Sequence, residues 1–280
     1  MNRKISGILF FIVLVIISIP TYTAASSIQL KVDGAVIPSE IGPEIKNGRT
    51  MVPLRVISEN LGAKVDWSKS KVTLTKKDMH VMLDLYNNTV LKNGKSTLLD
   101  VKSYINNNRT MVPLRFLSET FGCMVNYRNS EVTVDCEALR IGGVKVKALQ
   151  HEYHMTMGGV VQRSSGNAYN EAFYNIFIDN LGSKVEAPAN YSWMYTMDTP
   201  GSYYKEAQYD FLDTDEKSIK RFDLYTLIKA FPEETLEGYP EILIYDATEN
   251  QWYLFNETAR QSVNQLLDKG VFKIISNTIV

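Results

Sequence analysis

The heptapeptide RTMVPLR occurs twice, at Arg49–Arg55 and Arg109–Arg115, sixty positions apart. Aligning Arg49–Lys76 with Arg109–Cys136 without a gap leaves 14 of 28 positions identical, so the repeat extends well past the heptapeptide. Two copies at this period indicate a tandem supersecondary unit. The preceding stretches, IQLKVDGAVIP and VMLDLYNNTVLKNG, both read as short strands broken by turns. The copies therefore run over about residues 28–76 and 78–136.

Each piece of the repeat has a folding role. Thr50-Met51-Val52 is β-prone, and Pro53, with its fixed φ and no N–H, suits the first position of a helix. Leu54, Ile57 and Leu61 fall on one stripe of a two-turn helix that Gly62 closes. Two strands, KVDW and KVTLT, follow. Arg49, Pro53, Arg55, Gly62 and Trp67, with Arg109, Pro113, Arg115, Gly122 and Tyr127, form the signature of this unit. Folding alone accounts for these residues, so the heptapeptide reads as an element of fold used twice.

RTMVPLRVISENLGAKVDW and RTMVPLRFLSETFGCMVNY resemble the N-terminal stalk domain of copper amine oxidases, a small module that also occurs in tandem in secreted proteins of Gram-positive bacteria. The resemblance covers about residues 28–136. It implies a twisted antiparallel sheet packed around a helix, used as an accessory or envelope-associated module, and does not imply bound copper. Amine oxidation itself is rejected. Asn190-Tyr191 is followed by Ser192 and Asn126-Tyr127 by Arg128, where the quinone-forming Tyr needs an acidic neighbour. His80, His151 and His154 are the only histidines, and a separate catalytic domain of several hundred residues has no room. No cofactor is expected.

Asn2-Arg3-Lys4, an apolar run from Ile5 to Ile19 and then Thr23-Ala24-Ala25 read as a signal peptide cleaved after Ala25. The competing reading is a retained anchor, although the run falls short of the roughly 20 residues that span a bilayer. No stable membrane span is expected after cleavage. The mature chain is then extracytoplasmic, and its slight acidity argues against nucleic acid. Cys123 and Cys136 flank a strand–turn–strand segment, so export would allow them to form a disulfide; the alternative is two small buried side chains.

Past Glu137 the composition changes. Residues 26–136 carry 15 Lys and Arg against 11 Asp and Glu, whereas residues 137–280 carry 13 against 20, with 12 of the 16 tyrosines. The expected fold is α+β: tandem small antiparallel sheets each packed on a short helix, then a separate α+β domain over residues 137–280. In that half LRIGGVKVKAL, EILIYD and VFKIIS read as strands and DLYTLIKAF as a short helix. NETARQSVNQLLDKG reads as a helix ended by Gly270, with Ala259, Val263, Leu266 and Leu267 facing inwards.

Three clusters in this half invite a functional reading. His151 and His154 are three apart in an alternating segment, so a strand would point them to opposite faces; no metal site is expected there. Asp210, Asp213, Asp215 and Glu216 lack the sixth-position Gly and twelfth-position Glu of a calcium loop, and Asp213-Thr214-Asp215-Glu216 reads as the cap and first turn of a helix through Ile219 and Phe222. Tyr191, Trp193 and Tyr195 alternate, as if on one strand face, and Tyr203-Tyr204 lie beside a turn. That face reads either as core or as an aromatic surface for sugars or extended peptides. These five residues are the ligand-binding candidates.

The expected function is a non-enzymatic exported envelope protein, its stalk supporting or anchoring a C-terminal interaction domain. Its partner would be a cell-wall polymer or another envelope protein. The alternative is an enzyme acting on wall glycan or peptide, with Asp213 and Asp215 as paired acids.

Overall fold

The structure, a computed structural model, describes residues 28–155, 157–195 and 199–279. The proposed signal peptide, residues 1–25, lies outside the described residues. The fold is α+β, with short helices set among small, mostly antiparallel sheets. No helix among the described residues is long and apolar enough to cross a membrane.

The two heptapeptides meet. Strands Arg49–Pro53 and Arg109–Pro113 pair antiparallel with Val52 opposite Val112, at the centre of a four-stranded sheet completed by Glu44–Lys46 and Tyr104–Asn106. Each then enters a seven-residue helix, α1 (Leu54–Asn60) or α2 (Leu114–Thr120). Pro53 and Pro113 are the last strand residues, not the first helical ones, because their ψ of 116° and 124° stays extended. Gly62 and Gly122 end the helical turns at φ +77° and +73°, where a Cβ is disfavoured.

The flanking sheets interlock the copies. Gln29–Val32 pairs in parallel with Glu131–Cys136, so the start of the first copy lies beside the end of the second. Lys64–Ser68 and Lys71–Lys76 join Met79–Asp84, Thr89–Lys92 and Lys95–Leu98 in a five-stranded sheet. One apolar cluster, including Val52, Leu54, Ile57, Val112, Leu114 and Leu117, lies under all of this. Cys123 and Cys136 sit directly opposite one another in their hairpin and are joined as a disulfide.

The C-terminal half is built on a nine-stranded sheet. Its spatial order runs Lys184–Val185, Gln251–Leu254, Ile242–Asp246, Ser218–Leu227, Ser202–Leu212, Ala148–Met155, Gly158–Ser164, Lys273–Asn277, with Asn190–Ser192 alongside Ser202–Leu212. Helix α3 (Asn167–Asp179) brings Phe173 and Phe177 onto one face. Beyond the single-turn α4 (Glu233–Leu236), helix α5 (Glu257–Lys269) adds Ala259 and Val263, with Leu266 and Leu267 partly buried. Asn256 caps α5 by accepting from Ala259 N–H at 2.8 Å.

Three expectations for this half are corrected. DLYTLIKAF is not a helix: Asp223–Leu227 belongs to a long strand, whose alternation of Phe222 and Leu224 with Asp223 and Tyr225 has period two. Asp213–Glu216 is the turn of the hairpin joining that strand to Ser202–Leu212, not a helix start. Asp213 Oδ1 accepts from Asp215 and Lys217 N–H at 2.8 and 2.9 Å, closing the turn with its own side chain. LRIGGVKVKAL is split, because Gly142 and Gly143 at positive φ fold Arg140–Ile141 back on Val144–Lys145.

The halves are joined by specific contacts. Asp33, in the turn after Gln29–Val32, accepts from Ala168 N–H at 3.2 Å in the first turn of α3, and from Cys136 N–H at 2.8 Å. Burial holds its carboxyl above the usual carboxylate range, against the lowering effect of these donors. Glu171 meets Lys76 and Lys77, and Lys269 meets Glu59.

Candidate ligand-binding face of the C-terminal half

Helices α3 and α5 cover one face of the large sheet; Tyr191, Trp193 and Tyr203 lie on the other. Strand Asn190–Ser192 runs parallel to Ser202–Tyr204 and sets Tyr191 edge-on to Tyr225 and Trp252, with ring centres 5.6 and 4.9 Å away. The strand ends there. Ser192 Oγ accepts from Met194 N–H at 3.0 Å and turns the chain, so Trp193 and Tyr195 do not continue Tyr191's alternation. The expected single strand face of Tyr191, Trp193 and Tyr195 is thus corrected.

Trp193 instead stacks on His154, ring centres 4.1 Å apart and planes within 12°, while Lys205 Nζ lies 4.5 Å from the Trp193 ring centre. Tyr203 and Tyr204 point to opposite sides of their strand. Tyr203 is buried and donates its hydroxyl to Pro240 O at 2.7 Å; Tyr204 donates to His154 O at 2.6 Å and has Tyr195 as neighbour. Tyr191 and Tyr195 remain 49% and 58% exposed, so both present ring surface to solvent rather than core.

Below Trp193 lies a charged group that the candidate residues did not include. Buried Lys205 donates to Asp223 Oδ2 at 2.8 Å and to Gln208 Oε1 at 2.9 Å. Arg221 Nε is 3.2 Å from Asp223 Oδ1, an ion pair, and its Nη2 donates to Asp223 Oδ2 at 3.4 Å. Burial lowers the Lys205 ammonium below the usual lysine range, and Asp223 opposes that shift. Glu152 holds His154 Nε2 at 2.8 Å on the neighbouring strand. Cations, carboxylates and one aromatic plane therefore converge at one end of a solvent-facing sheet. The signal for Arg221 and Asp223 was the period-two spacing of 218–227, hidden by the helical reading of that stretch; Lys205 lies on the neighbouring strand Ser202–Leu212.

His151 and His154 separate as a strand requires. His151 points to the helix-covered face, stacked on Tyr209 at 4.9 Å, and receives Gln162 Nε2 at 3.0 Å; burial pushes its pKa down to about 4. Among the described residues, no group of three or more His, Cys, Asp or Glu gathers as a metal site.

The signature residues lie elsewhere. Arg49 reaches Asp100 at 2.5 Å, Arg109 reaches Glu40 at 2.8 Å, and Arg115 lies 3.9 Å from Glu119. The Arg55 guanidinium sits 5.7 Å from the centre of the exposed Trp67 ring, whose counterpart Tyr127 is also exposed.

Residues 31–136 match the family model of the copper amine oxidase N-terminal domain. No curated protein and no solved structure matches the chain. The match ends at Cys136, before the sheet that carries Trp193.

Proposed function

We propose that the chain is a non-enzymatic exported envelope protein of Gram-positive type, delivered by a signal peptide cleaved after Ala25. Its tandem stalk holds the C-terminal half, whose open sheet face binds a cell-wall polymer or another envelope protein. The observation that carries this is the Tyr191–Trp193–His154–Lys205 arrangement: exposed aromatic surface beside fixed, desolvated charge, the composition of a recognition surface. The ionisable groups of that face are engaged in pairs, Lys205 with Asp223 and Glu152 with His154, which favours binding over proton transfer. The wall-acting enzyme has less support, because Asp213 is occupied in shaping its turn.

The test is co-sedimentation of residues 26–280 with isolated Gram-positive walls across a salt series, alongside Tyr191→Ala and Trp193→Ala. Binding that both variants weaken supports the reading. If the parent stays in solution, the wall partner is wrong; if the variants pellet like the parent, this face is not the binder.

A further inference from the structure

We propose that the stalk itself carries a second binding site, a groove for an extended acidic polysaccharide. Two adjoining cavities of about 660 and 570 Å³ share Lys69, Leu85, Ile105 and Thr110 in their walls, so they form one continuous depression. Each is within the roughly 300–1,000 Å³ typical of ligand sites. The groove belongs to neither repeat alone. Arg55 at the start of α1 and the Trp67–Lys69 turn supply one side. Leu85 and Tyr86, after strand Met79–Asp84, supply another, and Ile105 with Arg109 leads into the second heptapeptide.

The lining specifies the ligand class. Tyr86 and Ile105 are 79% and 71% exposed, and Trp67 beside them is exposed, leaving flat apolar surface of the kind on which sugar rings rest. Arg55, Lys69 and Arg109 add three cations. The one acid in the lining among the described residues, Glu59, is already held by Lys269 at 2.8 Å. Among the described residues Arg109 is tied only to the well-exposed Glu40, a surface pair of the kind that contributes little and that a polyanion can displace. In the lining of the groove Ser103 is only 5% exposed, and its hydroxyl is buried with no hydrogen-bond partner among the described residues. An orphaned buried hydroxyl is costly unless something supplies a partner, and a sugar hydroxyl does so. Aromatic planes, an unpaired hydroxyl and a cationic rim together fit a chain of sugars bearing regularly spaced carboxylates better than a neutral glycan. This site stands apart from the Trp193 face and relies on the envelope reading only for where such a polymer is met.

The probe is an oligogalacturonate titrated into residues 26–280 and followed by calorimetry, with dextran and poly-glutamate as comparisons. Oligogalacturonate should bind, more weakly as salt rises. Arg55→Ala, Lys69→Ala and Tyr86→Ala should each weaken it by about tenfold. Tyr86→Ala removes a ring lying mostly in solvent, so an unchanged Tm separates lost binding from lost folding. Trp193→Ala should leave this affinity untouched, which distinguishes failure here from failure of the C-terminal face. No binding by the parent, or parental affinity in all three groove variants, would overturn the site. Equal binding of dextran would overturn the role of charge, and tighter binding of poly-glutamate would reassign the groove to an acidic peptide.

Discussion

Asp33 and Ala168 are 135 residues apart in sequence, yet the carboxylate of the first accepts the backbone N–H of the second at 3.2 Å. A turn residue of the N-terminal half thereby caps the first helix of the C-terminal half. Asn93 occupies the matching place in the second copy, also at positive φ before a Gly, but its Oδ1 serves only His80 N–H within its own sheet.

That difference predicts unequal costs. Asp33→Ala removes an N-terminal cap and should lower the unfolding free energy by about 1–2 kcal/mol. Asn93→Ala carries the same backbone strain without a helix to uncap, so it should cost less. Urea midpoints of the two variants check the order, and equal values would mean that Asp33 does not couple the halves.

The two helix-ending glycines form a second internal control. A Cβ at Gly122 meets nothing within 4 Å, so Gly122→Ala should cost only left-handed strain, about 1–2 kcal/mol. A Cβ at Gly62 would stand 2.9 Å from Ala168 O and 3.3 Å from Ala172 Cβ, inside the seam between the halves. Gly62→Ala should therefore be clearly the more destabilising, read as the larger fall in Tm.

His151 sets an acid limit. Its folded pKa of about 4 lies below the 6.5 usual for histidine, so the unfolded chain binds the proton more tightly. Its contribution is complete above the unfolded value and is lost as pH falls from about 6.5 towards 4, reaching at most about 3 kcal/mol. His151→Phe keeps an aromatic ring against Tyr209 but cannot titrate. Its Tm should fall less than the parent's between pH 6.5 and 4.5.

Lys205 and Asp223 are both buried, so their energetics depend on being paired. Asp223→Ala strands a buried ammonium and should cost about 3–5 kcal/mol, whereas combining it with Lys205→Met should recover much of that loss. A double-mutant cycle by chemical denaturation measures the coupling. Additive costs would show that the pair is not coupled under Trp193.

Local chemistry made much of the fold legible. Helix α5 could be read from its inward stripe and Gly270, because both signals lie within one segment. The strand at 218–227 could not, since Leu224 and Leu227 also satisfy a helical spacing; its long antiparallel partner, Ser202–Leu212, decides the matter. The aromatic candidates were legible as a group and misjudged in arrangement, because one Ser192 hydroxyl ends the alternation after Tyr191.

By itself the sequence determined that one stretch of residues is repeated, where its helices stop, and that the C-terminal half is chemically different. Those properties follow from residue spacing, φ preference and charge, all of them local. Only the tertiary structure decided that the two heptapeptides pair with one another, that Asp33 caps a helix of the other half, and that Lys205, Asp223 and Arg221 meet beneath Trp193. Each of these joins residues from separate strands or turns, and such meetings are selected by shared burial and hydrogen-bond satisfaction, which no single segment encodes.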